Sequence, residues 1–554
     1  MVLMLFILIA SIFALLPDVI RGAHVNYNLN IVNANIAPDG FNRVGVLVNG
    51  VFPGTLIQAQ KNDTLHIAVN NQLTNPLMRR STTVHWHGLF QHRTASEDGP
   101  AGVNQRPIAP AHSYTYDIPL NGQAGTFWYH SHLSSQYVDG LRGPLVIYDA
   151  ADPHRSLYDI DDANTVITLA DWYHDPAPGL EETYLHADSG GHHEPIPDAG
   201  LINGAGRYVG GPSVTRPRIN VVAGKRYRFR IINISAYSGY TFSIEGHRLS
   251  IIEIDGVSHV PLTVDQIPIY AAQRYSVVLT ADNAVRNYWI RAPMELQHSL
   301  DNDNLDTDKV YAVLHYDGAP SGEPTTSPGE GTGIVLKEYL LAPLENPGAP
   351  GGNRPADRTI DLRFDRSVNG QLEWTVNGIR YESPDVPTLL NVMVNGLTSE
   401  KDFKPSEHTF VLQKDQIIDL VIHGSANGHH HPFHLHGHAF DIIQGESGPS
   451  NYVNPPRRDV VGVKGSTVII RFKTDNPGPW FLHCHIGKCN SPGRICLPPK
   501  FKFLSSTDWH LEAGLAVVFN EAPVQQREGS EKQIIKQEWL DLCTIYDALP
   551  PELQ

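Results

Sequence analysis

The residues best suited to chemistry are four pairs of histidines, and the last pair encloses a cysteine. The pairs are His85 and His87, His130 and His132, His434 and His436, and His483 and His485, with Cys484 inside the last. Side chains alternate along an extended strand, so His483 and His485 would project away from Cys484. A thiolate combined with imidazoles suits copper, and two histidines with one cysteine form an electron-transfer copper site. The segment can therefore join one copper on the cysteine side to further metal ions on the other.

The ligand count supports this interpretation. A single histidine pair arises readily by chance in a chain with 28 histidines, and two surface histidines on a strand would explain it. Four pairs together supply eight imidazoles, enough for three copper ions, and His431, Cys484 and His510 could hold a fourth. A copper trio can reduce dioxygen to water, which takes four electrons delivered one at a time. Because the pairs come from both ends of the chain, we expect a cluster between the first and last domains.

The elements that position these residues are predicted to be strands. At 554 residues the chain is long enough for about three domains, and its 47 glycines and 41 prolines favour all-β architecture. Segments such as residues 64–70 alternate apolar and polar side chains, as half-buried strands do. We predict a first domain over residues 24–150, a second over 151–319, a linker rich in Pro, Gly, Ser and Thr over 320–332, and a third over 333–554.

The start of the chain predicts export. Residues 3–16 are apolar, too short for a membrane span of roughly 20 residues, and Gly22 and Ala23 follow. We therefore expect residues 1–23 to be a cleaved signal peptide and the protein to be secreted, with no membrane attachment afterwards. The sequons at Asn62 and Asn233 fit a glycosylated exported protein. The net charge of −16 argues against nucleic acid as a partner.

Four motifs resemble those of the multicopper oxidases, and specifically of the fungal laccases. They are HWHGLFQ followed by DGP, GTFWYHSHLSSQY, HPFHLHGHAF, and GPWFLHCHI followed by DWHLEAGLAVVF. The resemblance covers essentially the whole chain after the leader. It implies three cupredoxin-like Greek-key β-sandwich domains, four copper ions, one-electron oxidation of phenols or aromatic amines, and reduction of dioxygen to water. A monomer is expected.

The resemblance also implies a role for each residue of the motifs. His85 and His434 would hold a type 2 copper. A type 3 pair would be held by His87, His130, His132, His436, His483 and His485. The type 1 copper would be held by His431, Cys484 and His510, with the non-ligating Leu515 in the axial position. His510 would be the rim ligand that receives the electron, and Asp98 would help to move protons. An aspartate of a turn before Gly-Pro is the alternative for Asp98.

The largest departure from the family pattern separates Cys484 from His510. In the family the motif HCHI runs directly into DWH, whereas here the 21 residues 487–507 intervene. We predict that this segment is a retained intron, because Gly487-Lys488-Cys489 can be encoded with a 5′ splice signal and Thr507-Asp508 with a 3′ AG. Its removal restores the motif and keeps the reading frame. The alternative is a real loop that covers the substrate entrance.

Other departures concern cysteines and an acidic residue. The family usually pairs a cysteine near position 106 with one matching Cys543, and Arg106 removes that bridge. Tyr237 lies where many fungal laccases carry an acid that receives the phenolic proton. Two other functions stay open. One is a metal oxidase, for instance of ferrous iron, which needs carboxylates beside His510. The other is a non-catalytic copper-binding protein, inactivated by the insertion.

Overall fold

A computed structural model describes residues 22–186, 194–296, 299–329, 331–368, 371–424, 430–485, 509–550 and 553. The predicted insertion 487–507 and the signal peptide up to residue 21 lie outside these residues. The described strands form six sheets, which occur as three pairs along the chain. The all-β prediction is therefore confirmed, while the exact domain boundaries remain predictions. No helix among the described residues is long and apolar enough to cross a bilayer.

The first sandwich contains two four-stranded sheets, in the orders β2-β1-β4-β6 and β3-β8-β7-β5. Its strands are β1 (His24–Ile36), β2 (Arg43–Val48), β3 (Ile57–Gln60), β4 (Thr64–Asn71), β5 (His85–His87), β6 (Ser113–Pro119), β7 (Gly125–His130) and β8 (Arg142–Tyr148). Along β4 the side chains are alternately buried and half-buried, so Leu65, Ile67 and Val69 enter the core as the alternating pattern predicts.

The second sandwich contains sheets of seven and six strands, in the orders β11-β10-β9-β13-β18-β15-β16 and β12-β21-β19-β14-β17, with β20 paired to β14. Its strands are β9 (Val166–Trp172), β10 (Ala199–Ile202), β11 (Ala205–Gly206), β12 (Arg218–Val221), β13 (Arg226–Asn233), β14 (Gly239–Ile244), β15 (Leu249–Ile254), β16 (Val257–Val264), β17 (Gln266–Ile269), β18 (Arg274–Thr280), β19 (Asn287–Arg291), β20 (Met294–Glu295) and β21 (Tyr311–Tyr316).

The third sandwich has sheets in the orders β23-β22-β25-β30-β27-β28 and β24-β32-β31-β26-β29. Its strands are β22 (Arg358–Val368), β23 (Leu372–Val376), β24 (Thr409–Leu412), β25 (Ile417–His423), β26 (His431–Leu435), β27 (Phe440–Gln444), β28 (Arg457–Arg458), β29 (Val460–Val463), β30 (Thr467–Lys473), β31 (Gly478–Cys484) and β32 (Ala516–Glu521). The helices are α1 (Ala177–His186), α2 (Thr388–Leu390), α3 (Trp509–Glu512), α4 (Pro523–Arg527) and α5 (Gln537–Asp547).

The three sandwiches share one topology. Each described sheet contains a parallel strand pair among antiparallel neighbours: β1 with β4, β3 with β8, β9 with β13, β12 with β21, β22 with β25, and β24 with β32. A parallel pair needs a connection that crosses between the sheets, which is the Greek-key arrangement. The same arrangement in all three units agrees with the cupredoxin-like fold implied by the sequence.

The first and second sandwiches contact one another through buried strands. Strand β7 is buried along its whole length and contacts β13 and β18 of the second sandwich. The Thr126 amide donates a hydrogen bond of 2.8 Å to Glu253 Oε1, and the hydroxyls of Thr126 and Ser276 lie 3.0 Å apart. This contact between sandwiches holds β7 rigid, and β7 ends at His130.

Helix α5 is docked by Arg106, at the position where the resemblance implies a disulfide. Arg106 Nη2 lies 2.8 Å from Asp547 Oδ1, and its guanidinium lies 5.6 Å from the centre of the Tyr546 ring. Cys543 on the same helix is a half-buried free thiol. An ion pair and a ring contact therefore occupy the place of the lost covalent bridge.

Candidate metal centre

Two neighbouring strands and one short helix bring together His431, Cys484 and His510. Strand β26 begins at His431 and pairs antiparallel with β31, which ends at Cys484. Helix α3 supplies His510. The Cys484 sulfur lies 3.5 Å from His431 Nδ1 and 3.4 Å from His510 Nδ1, and all three side chains are buried. This is the donor set of a blue copper site, and it forms although Cys484 and His510 are 26 positions apart.

Leu515 lies in the same apolar cluster as Cys484. Its backbone amide donates a 2.9 Å hydrogen bond to the His510 carbonyl, which ties the turn after α3 to the histidine. The Leu515 side chain is fully buried and carries no donor atom. The position predicted to be axial is therefore apolar.

The eight paired histidines gather between the first and third sandwiches. Register brings them together, because β5 and β7 pair His85 with His130, and β26 and β31 pair His434 with His483. Three groups have ligand atoms within 4.8 Å of one another: His85, His87 and His434; His87, His130 and His485; and His132, His436 and His483. Two sequence-distant halves therefore meet at one site.

The protonation pattern of these rings fits metal binding. The Nδ1 atoms of His85, His130 and His434 lie 2.7, 2.8 and 2.9 Å from backbone carbonyls, to which they donate. Their Nε2 atoms are buried and have no hydrogen-bond partner among the described residues. A ring held in this tautomer directs the Nε2 lone pair into the cluster, as metal-bound histidines do.

Burial keeps most of the cluster neutral. It lowers the pKa well below the ordinary value for His87, His130, His132, His434, His436 and His485, and the neighbouring imidazoles lower it further. A protonated ring cannot bind a metal ion, so the depressed pKa values favour the ligand form. The donor chemistry and the orphaned nitrogens therefore both fit copper.

Asp98 connects two of the histidines. Its Oδ2 accepts a 2.8 Å hydrogen bond from His436 Nδ1, and its Oδ1 lies 3.3 Å from His85 Nδ1. The carboxyl group is fully buried, and burial raises its pKa. Gly99 follows with φ +105°, and a Cβ there would lie 2.1 Å from the Val84 carbonyl oxygen. The turn thus requires glycine, and the aspartate before it also contacts the cluster.

Two carboxylates at the site carried no signal in the sequence. Asp459 Oδ1 lies 3.5 Å from His87 Nε2, and the Asp459 carboxylate is held by Arg274 through contacts of 2.6 and 2.7 Å. Glu194 Oε1 lies 3.6 Å from His510 Nε2. Neither residue is in a histidine motif, so only the fold brings them to the metal groups.

His510, the predicted rim ligand, lies under an aromatic side chain in the structure. The His510 side chain is fully buried. The Trp374 ring packs 4.7 Å from the His510 ring, centre to centre, and donates a 3.2 Å hydrogen bond to the Tyr184 hydroxyl. Tyr237, at the position of the family acid, is also buried. Among the described residues, the Glu194 carboxylate lies 3.6 Å from His510 Nε2, the nitrogen that faces away from Cys484.

Comparison with known proteins agrees with this geometry. Family models described as multicopper oxidase match residues 30–152, 163–319 and 381–494. Laccase-4 of Thanatephorus cucumeris is 59% identical over 83% of this chain and 86% of its own length. Laccase-2 of Agaricus bisporus is 46% identical over 95% and 96%.

Two solved structures share the architecture. The multicopper oxidase Fet3p, which functions in iron import, superposes with a TM-score of 0.80 at 28% identity, covering 96% of this chain and 98% of its own. The laccase from Botrytis aclada gives 0.79 at 31% identity, covering 96% and 93%. With its histidine and cysteine groups built as described, the chain belongs to the multicopper oxidase family and groups with the fungal laccases.

Proposed function

We propose that the protein is a laccase-like oxidase that takes single electrons from phenols or aromatic amines and passes them to dioxygen, which is reduced to water. The observation that carries the proposal is the position of Cys484. Its sulfur contacts His431 and His510, while His483 and His485, its sequence neighbours, belong to two groups of the histidine cluster. The Cys484 site and the histidine cluster are therefore connected through the backbone between adjacent residues.

We assign the residues to four copper ions by their groups. His431, Cys484 and His510 would hold type 1 copper, with Leu515 axial and non-ligating. His85 and His434 would hold type 2 copper. The type 3 pair would be held by His87, His130 and His485, and by His132, His436 and His483. Bound copper supplies one-electron redox chemistry, which none of these side chains has alone.

The protein's own residues separate donor from oxidant. The covalent backbone from Cys484 to its two flanking histidines is the shortest connection between the sites, so donor and dioxygen need never meet. Asp98 holds His436 through its carboxylate Oδ2 and His85 through its backbone carbonyl. We propose that it orients both rings and holds a proton at the oxygen site, where a buried carboxyl group favours its protonated form.

An aromatic donor could dock in a cavity that reaches His430, the sequence neighbour of His431, although none of His431, Cys484 and His510 lines it. A cavity of about 550 Å³ borders His430, the residue before His431, and its lining includes Tyr270 and Glu338. The rings of Tyr270 and His430 stack with centres 4.4 Å apart. The volume of the cavity falls within the range of small-molecule sites. We expect Tyr270→Ala to raise KM for a phenol and leave kcat within about twofold; a changed kcat at constant KM would contradict docking here.

Export and a monomeric state are part of the same proposal, and one predicted glycosylation site needs correction. Asn62 is exposed in a turn with φ 74°, where a glycan is accommodated. Asn233 is fully buried, and its Nδ2 donates hydrogen bonds to the carbonyls of Ser238 and Ile269. The Asn233 sequon therefore does not fit a glycan in this fold. The relatives' name, laccase, supports a small-molecule donor, and the leader supports secretion.

The test is a spectrum with a matched variant. Purified protein should absorb strongly at about 600 nm, the signature of a copper–thiolate bond, and contain four copper ions. It should also consume dioxygen when given a phenol. Cys484→Ser should lose the absorption and the oxidation but keep the other three coppers. A wild-type protein that binds copper without absorbing there would be the non-catalytic copper protein.

The same measurements address the insertion. The full-length form and a form lacking residues 487–507 should be purified in parallel, and the messenger RNA should be sequenced across codons 480–515. A mature message that keeps the segment rules out the retained intron.

A metal oxidase is the second candidate, and Glu194 is the specific observation in its favour. Its carboxylate Oε1 lies 3.6 Å from His510 Nε2, and both side chains are buried. Fet3p, with which the fold superposes, functions in iron import. Glu194→Gln keeps the shape and removes the charge. If the protein oxidises ferrous iron, the variant should lose that activity selectively over phenol oxidation; equal losses would exclude a metal-specific role for Glu194.

A further inference from the structure

A second cluster of histidine and aspartate side chains lies on the outer face of the first sandwich. His24, His66 and Asp117 are on the neighbouring strands β1, β4 and β6, where His66 is directly opposite Asp117. His24 Nδ1 and His66 Nε2 are 2.5 Å apart, the ring centres are 4.7 Å apart, and the ring planes differ by 23°. The two rings are therefore nearly coplanar and meet edge to edge, nitrogen facing nitrogen.

Asp117 fixes which nitrogen of His66 is available. Its Oδ1 contacts His66 Nδ1, and its Oδ2 accepts a 2.7 Å hydrogen bond from Lys536 Nζ. A carboxylate on Nδ1 keeps the proton there, which leaves the Nε2 lone pair directed at His24. This is the arrangement by which carboxylates orient histidine ligands in metal sites.

We propose that His24 and His66 bind one Cu²⁺ ion, independently of the four coppers of the oxidase. Coplanar rings with facing nitrogens would become opposite ligands of a tetragonal ion, the geometry that Cu²⁺ prefers among nitrogen ligands. Metal–nitrogen bonds of about 2 Å would require the rings to separate by about 1.5 Å. Because His24 is exposed at the start of β1, its side chain can make this movement.

Removal of the predicted leader would provide a third ligand. If residues 1–23 are removed, His24 becomes the first residue, and its α-amino group joins its own Nδ1 in a chelate. The strand register holds this terminus in place, since His24 pairs with Thr64 of β4. The site would then have three nitrogen ligands. The alternative is a histidine pair joined by a hydrogen bond, which binds no metal.

The experiment uses the copper-loaded, secreted enzyme after N-terminal sequencing. Titration with Cu²⁺ in the presence of glycine, followed by calorimetry and electron paramagnetic resonance, should reveal one further equivalent with a nitrogen-ligand signal. His24→Ala and His66→Ala should each abolish it, and Asp117→Asn should weaken it by about 10–100-fold. His112→Ala, which changes another exposed histidine of the same sandwich, should leave it unchanged.

A form with one alanine added before His24 tests the amino group, because it keeps both rings but moves the amine; we expect weaker binding. Phenol oxidation should be the same in all these variants, so the outcome is separate from that of the proposed oxidase function. No fifth equivalent in the wild type, or a fifth equivalent retained in His66→Ala, would overturn the proposal. A mature chain that begins elsewhere would overturn the amine ligand.

Discussion

Arg274 and Asp459 form a buried ion pair at the point where the three sandwiches meet. Arg274 begins β18 of the second sandwich, and Asp459 precedes β29 of the third. Besides its two contacts with Asp459, the guanidinium donates from Nε to the Thr126 carbonyl of the first sandwich at 3.1 Å. Both side chains are at most 2% exposed. The pair therefore holds together the domains that supply the histidine cluster.

Replacing Asp459 by alanine should be strongly destabilising. The guanidinium would remain buried with Asp255 as its nearest carboxylate, 3.6 Å away and already paired with Arg458. Removing one partner of a buried pair costs about 3–5 kcal/mol, because the other charge stays buried and uncompensated. The His434 hydrogen bond should survive, since it is made to the Asp459 backbone. We expect a loss of this size in the free energy of unfolding, together with reduced copper content.

A double variant separates the pair from simple loss of packing. Arg274→Met combined with Asp459→Ala removes both charges, so its destabilisation should be about 2–3 kcal/mol smaller than the sum of the single variants. Denaturant unfolding of the copper-loaded wild type, the two single variants and the double variant, followed by fluorescence, measures the four free energies of unfolding. Additive losses, or a cost below about 1 kcal/mol for Asp459→Ala, would refute the interpretation of a buried, coupled pair.

Three further changes test other parts of the structure. Burial raises the pKa of Asp441 from 3.8 to about 6. The protonated carboxyl group therefore contributes stability to the folded state that is fully present below pH 3.8 and is lost as the pH rises through 6. The free energy of unfolding of Asp441→Asn, relative to that of the wild type, should therefore increase by up to about 3 kcal/mol between pH 4 and 7. A difference that stays constant across this range in unfolding titrations would contradict the prediction. Arg106→Ala should lower the free energy of unfolding by only about 1–2 kcal/mol, because its partner Asp547 is half exposed. The variant should also be cleaved faster by proteases at α5. Unchanged proteolysis would argue against docking by Arg106. Leu515→Met should lower the reduction potential of the blue copper in a redox titration. The free energy of unfolding should fall by less than about 1.5 kcal/mol, because the two side chains have similar volumes. An unchanged potential would show that the side chain is not axial.

The C-terminal tail shows the limit of periodicity as a guide. Ile534, Ile535, Leu542 and Ile545 lie at roughly helical spacing, which predicts a packing helix. Helix α5 exists, but it begins at Gln537, and Ile534 is 52% exposed. The buried face consists of Trp539, Leu542 and Tyr546. The spacing predicted the type of element, while the docking surface on the first sandwich decided which side chains face inward.

The sequence alone determined the copper chemistry, because ligand identity is a property of residue type and the alternation of a strand places His483 and His485 opposite Cys484. It could not decide which distant groups would join them. Asp459 and Glu194 reach the metal groups only through strand register and domain packing, and no local pattern encodes contacts of that range. Tertiary structure likewise buried His510 beneath Trp374 and brought His24 to His66, because both contacts join residues that are far apart in the chain.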